Sequence, residues 1–316
     1  MSARGLLLPV LLLACLAGLP FVASATTLNF LVSALIIALG AQGWNLLAGF
    51  GGQLSFGHAA FFGTGAYVTA ILQIRYGINA WAGMAAGVAL GAAVGWVIGL
   101  LSFRAKLRGS YFALVTLAFA EVLRILANAA DFTGGAAGLL IRLQPGFGNL
   151  QFPDRGVFLW LVLFCILLVL LLTAAIARSR FGAQLVAVRE NEDAARALGV
   201  DVLATKLKAI SLSAAITAAA GCLYVQNFLY LDANIGFGTW ISVEVLIAAI
   251  LGGIGTVLGP VVGALALHGL GEATKLVSGQ VTGIDLAIFG MVLIVSVAFV
   301  PNGVMGLRRF LKGGAR

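Results

Sequence analysis

Long apolar stretches separated by short polar segments dominate this chain. A helix needs about 20 apolar residues to cross the hydrocarbon of a membrane. Ten stretches meet or approach that length, at residues 5–24, 28–49, 58–74, 80–102, 110–130, 157–177, 208–231, 241–258, 260–277 and 284–300. The pattern predicts an all-α polytopic membrane protein with about ten transmembrane helices, folded as a single domain over residues 1–316. The stretches at 241–258 and 260–277 are short. They either cross the membrane separately or form a re-entrant pair, which would change the number of transmembrane helices.

Composition agrees with this pattern. Hydrophobic residues make up 61% of the chain and charged residues only 9%, whereas charged residues are about a quarter of a soluble protein. The 42 glycines fit helices that pack closely inside a membrane. These properties exclude a soluble enzyme.

The formal charge of +8 is distributed as in a membrane protein and predicts no nucleic-acid partner. Of the 19 basic residues, 14 fall on one predicted side, at positions 4, 104–108, 178–208 and 308–316. Basic residues collect on the cytoplasmic side of membrane proteins, so we assign these segments to the cytoplasm. Residues 22–25 imitate a signal-peptide cleavage site, and we expect an uncleaved first helix.

A polar segment at about 178–207 divides the chain into two apolar halves. A helix is predicted from Phe181 to Gly199, and Glu192 precedes Arg196 by four residues, the favourable order for an ion pair on one face. The opposite face is apolar, with side chains at helical spacing at Phe181, Leu185, Val188, Ala195 and Leu198. Such a helix either docks a partner or forms a solvated connection between membrane spans.

Two glycine-rich segments interrupt the apolar stretches, one in each half, at residues 49–67 and 250–264. Irregular backbone at membrane depth is tolerated only where protein covers it or where it lines a watery cavity. Paired interruptions indicate a substrate path in transporters, and close helix packing through glycine is the alternative. The pathway candidates are the small or polar residues in and beside them: Gln53, Ser55, Gly57, His58, Glu244, Gly252 and Gly253.

Glu121 and Arg124 lie near the middle of one predicted span, three residues apart, so they can pair on one helix face. Ionisable groups at this depth are costly and suggest a function by default. The pair serves either the packing of its helix or gating and transport.

The sequence contains no site for catalysis or for a metal. The segment from Gly252 to Pro260 lacks the lysine of a phosphate-binding loop, so it does not form a site for ATP. His58 and His268 stand some 210 residues apart, without an H-E-x-x-H motif. We therefore expect no cofactor and no metal on this chain.

Motifs along nearly the whole chain resemble one family. The residues Asp193 to Gly199, DAARALG, resemble the loop with which permeases of bacterial ABC importers contact their ATPases. The motifs GQLSFGH, RGSYFA, TLAFAE, TGG, GGIGT with GP, and PNG begin at residues 52, 108, 116, 133, 252 and 301. In this order they are similar to the permease of a branched-chain amino-acid ABC importer of the LivM type.

The resemblance implies a type II importer-like permease fold in a bacterial inner membrane. It implies as partners a second permease subunit, two ATPase subunits that hold ATP and Mg, and a periplasmic binding protein. The residues implied to couple to the ATPase are Arg189, Glu190, Glu192, Asp193, Ala194, Ala195 and Gly199. Urea, short amides or other amino acids are alternative cargoes. An ion-coupled carrier that uses Glu121 and Arg124 is a rival of another class.

Overall fold

The computed structural model describes residues 12–278, 290–291, 294 and 303–305. The predicted span at 284–300 and the basic C-terminal residues 308–316 therefore lie almost wholly outside the described part. The chain is mainly helical: α1 (Leu12–Phe21), α2 (Ala25–Trp44), α3 (His58–Tyr76), α4 (Ala80–Arg104), α5 (Gly109–Ala129), α6 (Arg155–Arg178), α7 (Arg180–Glu190), α8 (Glu192–Ala197), α9 (Val202–Phe228), α10 (Ala233–Phe237), α11 (Thr239–Gly252) and α12 (Gly259–Ser278).

The predicted spans between residues 28 and 177 begin and end within three residues of the observed helices, when the π turn at Asn45–Phe50 is counted with α2. Over the described residues, six segments are long and apolar enough to cross a membrane: Ala25–Phe50, Ala80–Arg104, Gly109–Ala129, Arg155–Arg178, Val202–Phe228 and Ala233–Gly252. The prediction of a polytopic all-α membrane protein is confirmed, and the count of about ten stays a prediction. The start predicted for the span at 208–231 is wrong. Helix α9 starts at Val202, because the Asp201 side chain caps it by accepting a hydrogen bond from Ala204 N at 2.9 Å.

Helix α2 lies at the centre of the bundle. Every residue from 34 to 50 is buried, and the helix packs against α6, α9, α11 and α12. It continues directly into a wide π turn at Asn45–Phe50. Such turns are frequent at functional sites, and here the wide turn ends at the first glycine-rich segment.

Helix α4 contacts α9 through a stripe of glycines spaced four residues apart. Gly91 faces Ala218, Gly95 faces Ala214 and Ile210, and Gly99 faces Ile210. The partner number falls as the glycine number rises, so the two helices run antiparallel. Without Cβ atoms the backbones approach closely, and dispersion between them replaces the hydrophobic drive that lipid does not supply.

Helices α11 and α12 form an antiparallel pair joined by residues 253–258. Gly252 lies against Gly259, and Gly263 lies against Ala248. The predicted helix at 241–258 is therefore corrected: it stops at Gly252, because Gly253 has φ +122° and residues 253–258 form turns. Only glycine adopts such a backbone without strain.

The segment from Ala130 to Asp154 connects α5 to α6 at the end of the bundle opposite the polar segment at 178–207. Its two-residue strand β1 (Leu139–Leu140) pairs antiparallel with β2 (Tyr230–Leu231) after α9. Arg75, at the end of α3, donates a hydrogen bond to Asp131 O at 2.9 Å. These bonds fasten α5 to α3 and α9 on this side.

Candidate coupling and translocation site

The two glycine-rich segments meet at the end of α2. Asn45 Nδ2 donates to Thr256 O at 2.9 Å, and Asn45 Oδ1 accepts from Gly255 N at 2.7 Å. One turn earlier, Gln42 Nε2 donates to Val257 O at 2.7 Å. The amides satisfy backbone groups of the turn at 253–258 that have no helical partner, each of which would cost several kcal/mol in lipid. Neither amide was predicted from the sequence, although two polar residues in a long apolar span are a visible signal.

Backbone packing at this meeting point leaves no room for side chains. A Cβ atom on Gly49 would lie 2.7 Å from Gly255 N, and Gly252 touches the Gly259 carbonyl. Gly303, with φ +66°, approaches the backbone of Gly253. Close packing is therefore one role of these glycines, and a movement of one segment must displace the other.

The polar segment folds into two helices rather than the one predicted. Asn191 has extended backbone angles, and its side chain accepts hydrogen bonds from the N–H groups of Asp193 and Ala194 at 3.0 Å. It ends α7 and starts α8 because an asparagine cap satisfies two free donors. The helical region ends near Gly199 as predicted, with φ +84° at that residue.

The apolar face and the ion pair predicted for this segment need correction. Leu185, Val188 and Ala195 are buried, but Leu198 is 83% exposed because it follows the last turn of α8. Arg196 pairs with Asp193 at 2.9 Å and not with Glu192.

Glu192 instead points away from Arg196, toward α5 and α9. It accepts from Lys206 Nζ, and it lies 3.1 Å from Arg108 Nη2. The Lys206 side chain is only 5% exposed, and its ammonium stands 5.2 Å from the centre of the Phe103 ring. Glu192 therefore ties α8 to the N-terminal ends of both α5 and α9.

Arg189 connects α7 directly to the first glycine-rich segment. Its Nη1 donates to Gly49 O at 2.9 Å, and its Nη2 lies 2.7 Å from Glu190 Oε1. The Arg189 side chain also packs on Gly52, where φ is +68°. The segment predicted to couple to an ATPase thus contacts the segment predicted to line the path.

The predicted pathway residues Gln53, Ser55 and His58 point into the protein. His58 is fully buried; its Nε2 lies 2.9 Å from Ser213 Oγ, and that hydroxyl donates to Gly43 O at 2.6 Å. Ser55 Oγ accepts from Gly57 N at 3.2 Å. Both serve local packing in this conformation, so their role in the path stays a prediction that requires this packing to open.

Glu244 lies in a different place, on α11. Its carboxylate is 3.6 Å from His268 Nε2 on α12. The pair borders a cavity of about 370 Å³, which Asn29 and Ser33 of α2 also line. Gly252 and Gly253 are roughly two turns away along α11, so the predicted pathway residues do not converge on one cavity.

Glu121 and Arg124 form the predicted ion pair on α5. Arg124 Nε donates to Glu121 Oε2 at 2.9 Å, and Arg124 Nη2 lies 2.5 Å from Glu121 Oε1. The remaining nitrogen, Nη1, donates to Asn234 Oδ1 on α10 at 2.7 Å. Asn234 was not singled out from the sequence, since a single asparagine in a short helix carries no recognisable signal.

Comparisons with known proteins agree with the geometry. Residues 26–297 match the family described as branched-chain amino acid transport system / permease component. The permease protein LivM of Escherichia coli K12 is 29% identical over 97% of this chain and 77% of its own, and LivM of Salmonella typhimurium LT2 is 28% identical over 92% and 72%. The permease protein LivH of Escherichia coli K12 is 27% identical over 85% of this chain and 91% of its own. No solved structure matches the chain significantly.

Proposed function

Because this chain belongs to the family of branched-chain amino acid transport permeases, we propose that it carries leucine, isoleucine and valine into the cytoplasm as one subunit of an ABC importer. Its several apolar helices make it a multi-pass membrane protein. As a member of this family it is a transport subunit and not an enzyme. The energy of transport then comes from ATP hydrolysed on partner chains.

The assembly we propose has four kinds of subunit. LivM and LivH are both permease proteins of a high-affinity branched-chain amino acid system, and similarity to both supports pairing of this chain with a second permease. Two ATPase subunits would bind ATP and Mg, and a periplasmic binding protein would deliver the cargo. The complex would lie in a bacterial inner membrane, with the α7–α8 side facing the cytoplasm.

The contact between Arg189 and Gly49 is the observation that supports this mechanism most directly. ATPase closure would push on α7 and α8, and Arg189 would pass the movement to the end of α2. Asn45 and Gln42 would then move the turn at 253–258 with it. Rearrangement here would open the packing around His58 and change the side from which the path is accessible.

Uptake of labelled leucine tests the proposal. Cells that lack their own high-affinity system would carry this chain with its candidate partners. The control replaces the phosphate-binding lysine of the partner ATPase, which abolishes ATP hydrolysis without touching the permease. We expect uptake that ATP depletion stops and that a protonophore leaves intact while ATP is maintained.

Other results would redirect the assignment. Uptake that the protonophore abolishes at constant ATP would support the ion-coupled carrier and refute the ABC mechanism. Uptake of urea or short amides without leucine uptake would refute the cargo and keep the mechanism, since the binding protein sets much of the selectivity in such importers.

A further inference from the structure

One face of α5 carries a charge among exposed apolar side chains. Leu114, Glu121 and Ile125 follow each other at intervals of seven and four residues, so they lie on the same face of the helix. Leu114 is 60% exposed, Ile125 is 54% exposed and the Glu121 side chain is 40% exposed. The helix is one of the six segments apolar enough to cross a membrane.

A half-exposed carboxylate in the middle of a membrane span is not stable against lipid. Ionisable groups at this depth face the interior of an assembly or a water-filled cavity. Within the described residues, Arg124 neutralises Glu121 but does not cover it. The face of α5 with Glu121 therefore borders a protein partner or water, and the apolar residues above and below it share that boundary.

The polar groups at this point complement a free amino acid. The planar guanidinium of Arg124 can bind a carboxylate through two parallel hydrogen bonds. The carboxylate of Glu121 accepts hydrogen bonds from an ammonium, and the Asn234 amide offers both donors and an acceptor. Trp240, whose Nε1 donates to Asn234 O at 3.2 Å and which is partly exposed, adds an apolar wall beside them.

We propose that Glu121, Arg124 and Asn234 form a transient binding site for the zwitterionic head of the transported amino acid. The inference rests on the proposed function, because it takes a free amino acid as the cargo. The substrate carboxylate replaces Glu121 on Arg124, and the substrate ammonium pairs with Glu121. Since the two side chains neutralise each other when the site is empty, the path holds no unpaired charge between transport cycles. The aliphatic side chain of the cargo contacts the indole ring of Trp240, beside Asn234.

The test uses the complete transporter in proteoliposomes, with ATP inside and leucine-loaded binding protein outside. Variants are Glu121→Gln, Arg124→Gln, Arg124→Lys and the charge exchange Glu121→Arg with Arg124→Glu. Ile125→Ala, one turn away on the same face, is the matched control. Stimulation of ATP hydrolysis by the binding protein is measured beside uptake, because it reports assembly and docking without leucine passage.

We expect the maximal rate of leucine uptake to fall about tenfold or more in the two glutamine variants, which lose a charge-assisted contact. The charge exchange is as slow as the glutamine variants, because it puts the positive charge at position 121 and the negative charge at position 124, the reverse of what the cargo requires. Arg124→Lys is slowed about threefold or more, since lysine lacks the planar fork. Ile125→Ala keeps its rate within about twofold. Stimulated ATP hydrolysis stays near the wild-type rate throughout.

An ion pair that only holds α5 in place behaves differently. The charge exchange or Arg124→Lys would then restore at least about half of the wild-type uptake, and that result would overturn the proposal. If the wild-type complex imports leucine and all the variants import it at the same rate, this site is refuted and the proposed function is kept. Absence of leucine import by the wild-type complex refutes the proposed cargo and this site with it.

Discussion

Arg189 Nη1 donates a hydrogen bond to the carbonyl oxygen of Gly49 at 2.9 Å. The bond joins the end of α7 to the wide turn that follows α2, 140 residues earlier in the chain. Gly49 packs in turn on Gly255. Three segments that are far apart in sequence therefore lie in contact, and the polar segment at 178–207 has a short physical connection to both glycine-rich segments.

Arg189→Ala should uncouple transport from ATP hydrolysis. The variant loses the bond to Gly49 and the packing on Gly52, while the rest of α7 and α8 keeps its surface for the ATPase. We expect leucine uptake to fall about tenfold or more, because a hydrogen bond to a charged group contributes about 1.5–3 kcal/mol, with ATP hydrolysis within about twofold of wild type. Arg180→Ala, at the start of α7, is the matched control. Uptake and hydrolysis that fall in parallel would contradict the uncoupling.

Glu192→Ala should destabilise the subunit, because it leaves the buried Lys206 ammonium without its carboxylate. Lys206 is 5% exposed and Glu192 13% exposed. Removing one partner of a buried ion pair costs about 3–5 kcal/mol. The midpoint of thermal unfolding in detergent measures the change, and membrane insertion should persist at low temperature. Asp193→Ala, an exposed neighbour, should shift the midpoint little.

A double variant separates the buried charge from the contact itself. Glu192→Met with Lys206→Met removes both charges and should recover most of the lost stability, because an apolar replacement of a buried pair is often neutral. Its coupling should stay impaired, since α8 has lost its connection to Arg108. Full recovery of uptake in the double variant would show that Glu192 acts only on stability.

The helices could be predicted because the membrane fixes their length and polarity. The spans at residues 28–49, 58–74, 80–102 and 157–177 have observed counterparts that differ by at most three residues at either end, when the π turn at Asn45–Phe50 is counted with α2. These boundaries depend only on the local run of apolar residues, so no knowledge of tertiary contacts was needed.

What the sequence did not reveal depends on contacts between distant residues. Glu192 has Arg196 four residues away, yet it pairs with Lys206 and Arg108, because Asn191 restarts the helix and turns its first residue inward. Likewise, Asn45 caps a turn 210 residues away. Periodicity describes one element at a time and cannot state which backbone groups an amide will reach. The predicted ion pair of Glu121 and Arg124 formed because both residues belong to one helix.

Gly199→Ala should weaken coupling through backbone strain alone. Gly199 has φ +84° and a Cβ atom there would meet nothing within 4 Å, so the substitution introduces no clash. An alanine in this conformation costs about 1–2 kcal/mol, which α8 can relieve by shifting relative to α9. We expect reduced uptake per ATP hydrolysed. Gly199→Asn should retain more coupling, since asparagine tolerates this region, and equal effects of Ala and Asn would argue against strain as the cause.

Gly263→Ala and Gly269→Ala give a matched pair within α12. A Cβ atom on Gly263 would lie 2.8 Å from Gly252 Cα, whereas one on Gly269 would meet nothing within 4 Å. The first substitution should force α11 and α12 apart and cost about 1–3 kcal/mol, the usual range for overpacking. The second should leave stability unchanged or raise it by up to about 1 kcal/mol, since alanine favours the helix more than glycine does. Thermal unfolding of the two variants in the same detergent measures the difference. The shift at Gly263 would also move the turn at 253–258, so we expect only Gly263→Ala to lose leucine uptake. If Gly269→Ala also lost uptake, helix propensity, and not the packing of α11 on α12, would govern this region.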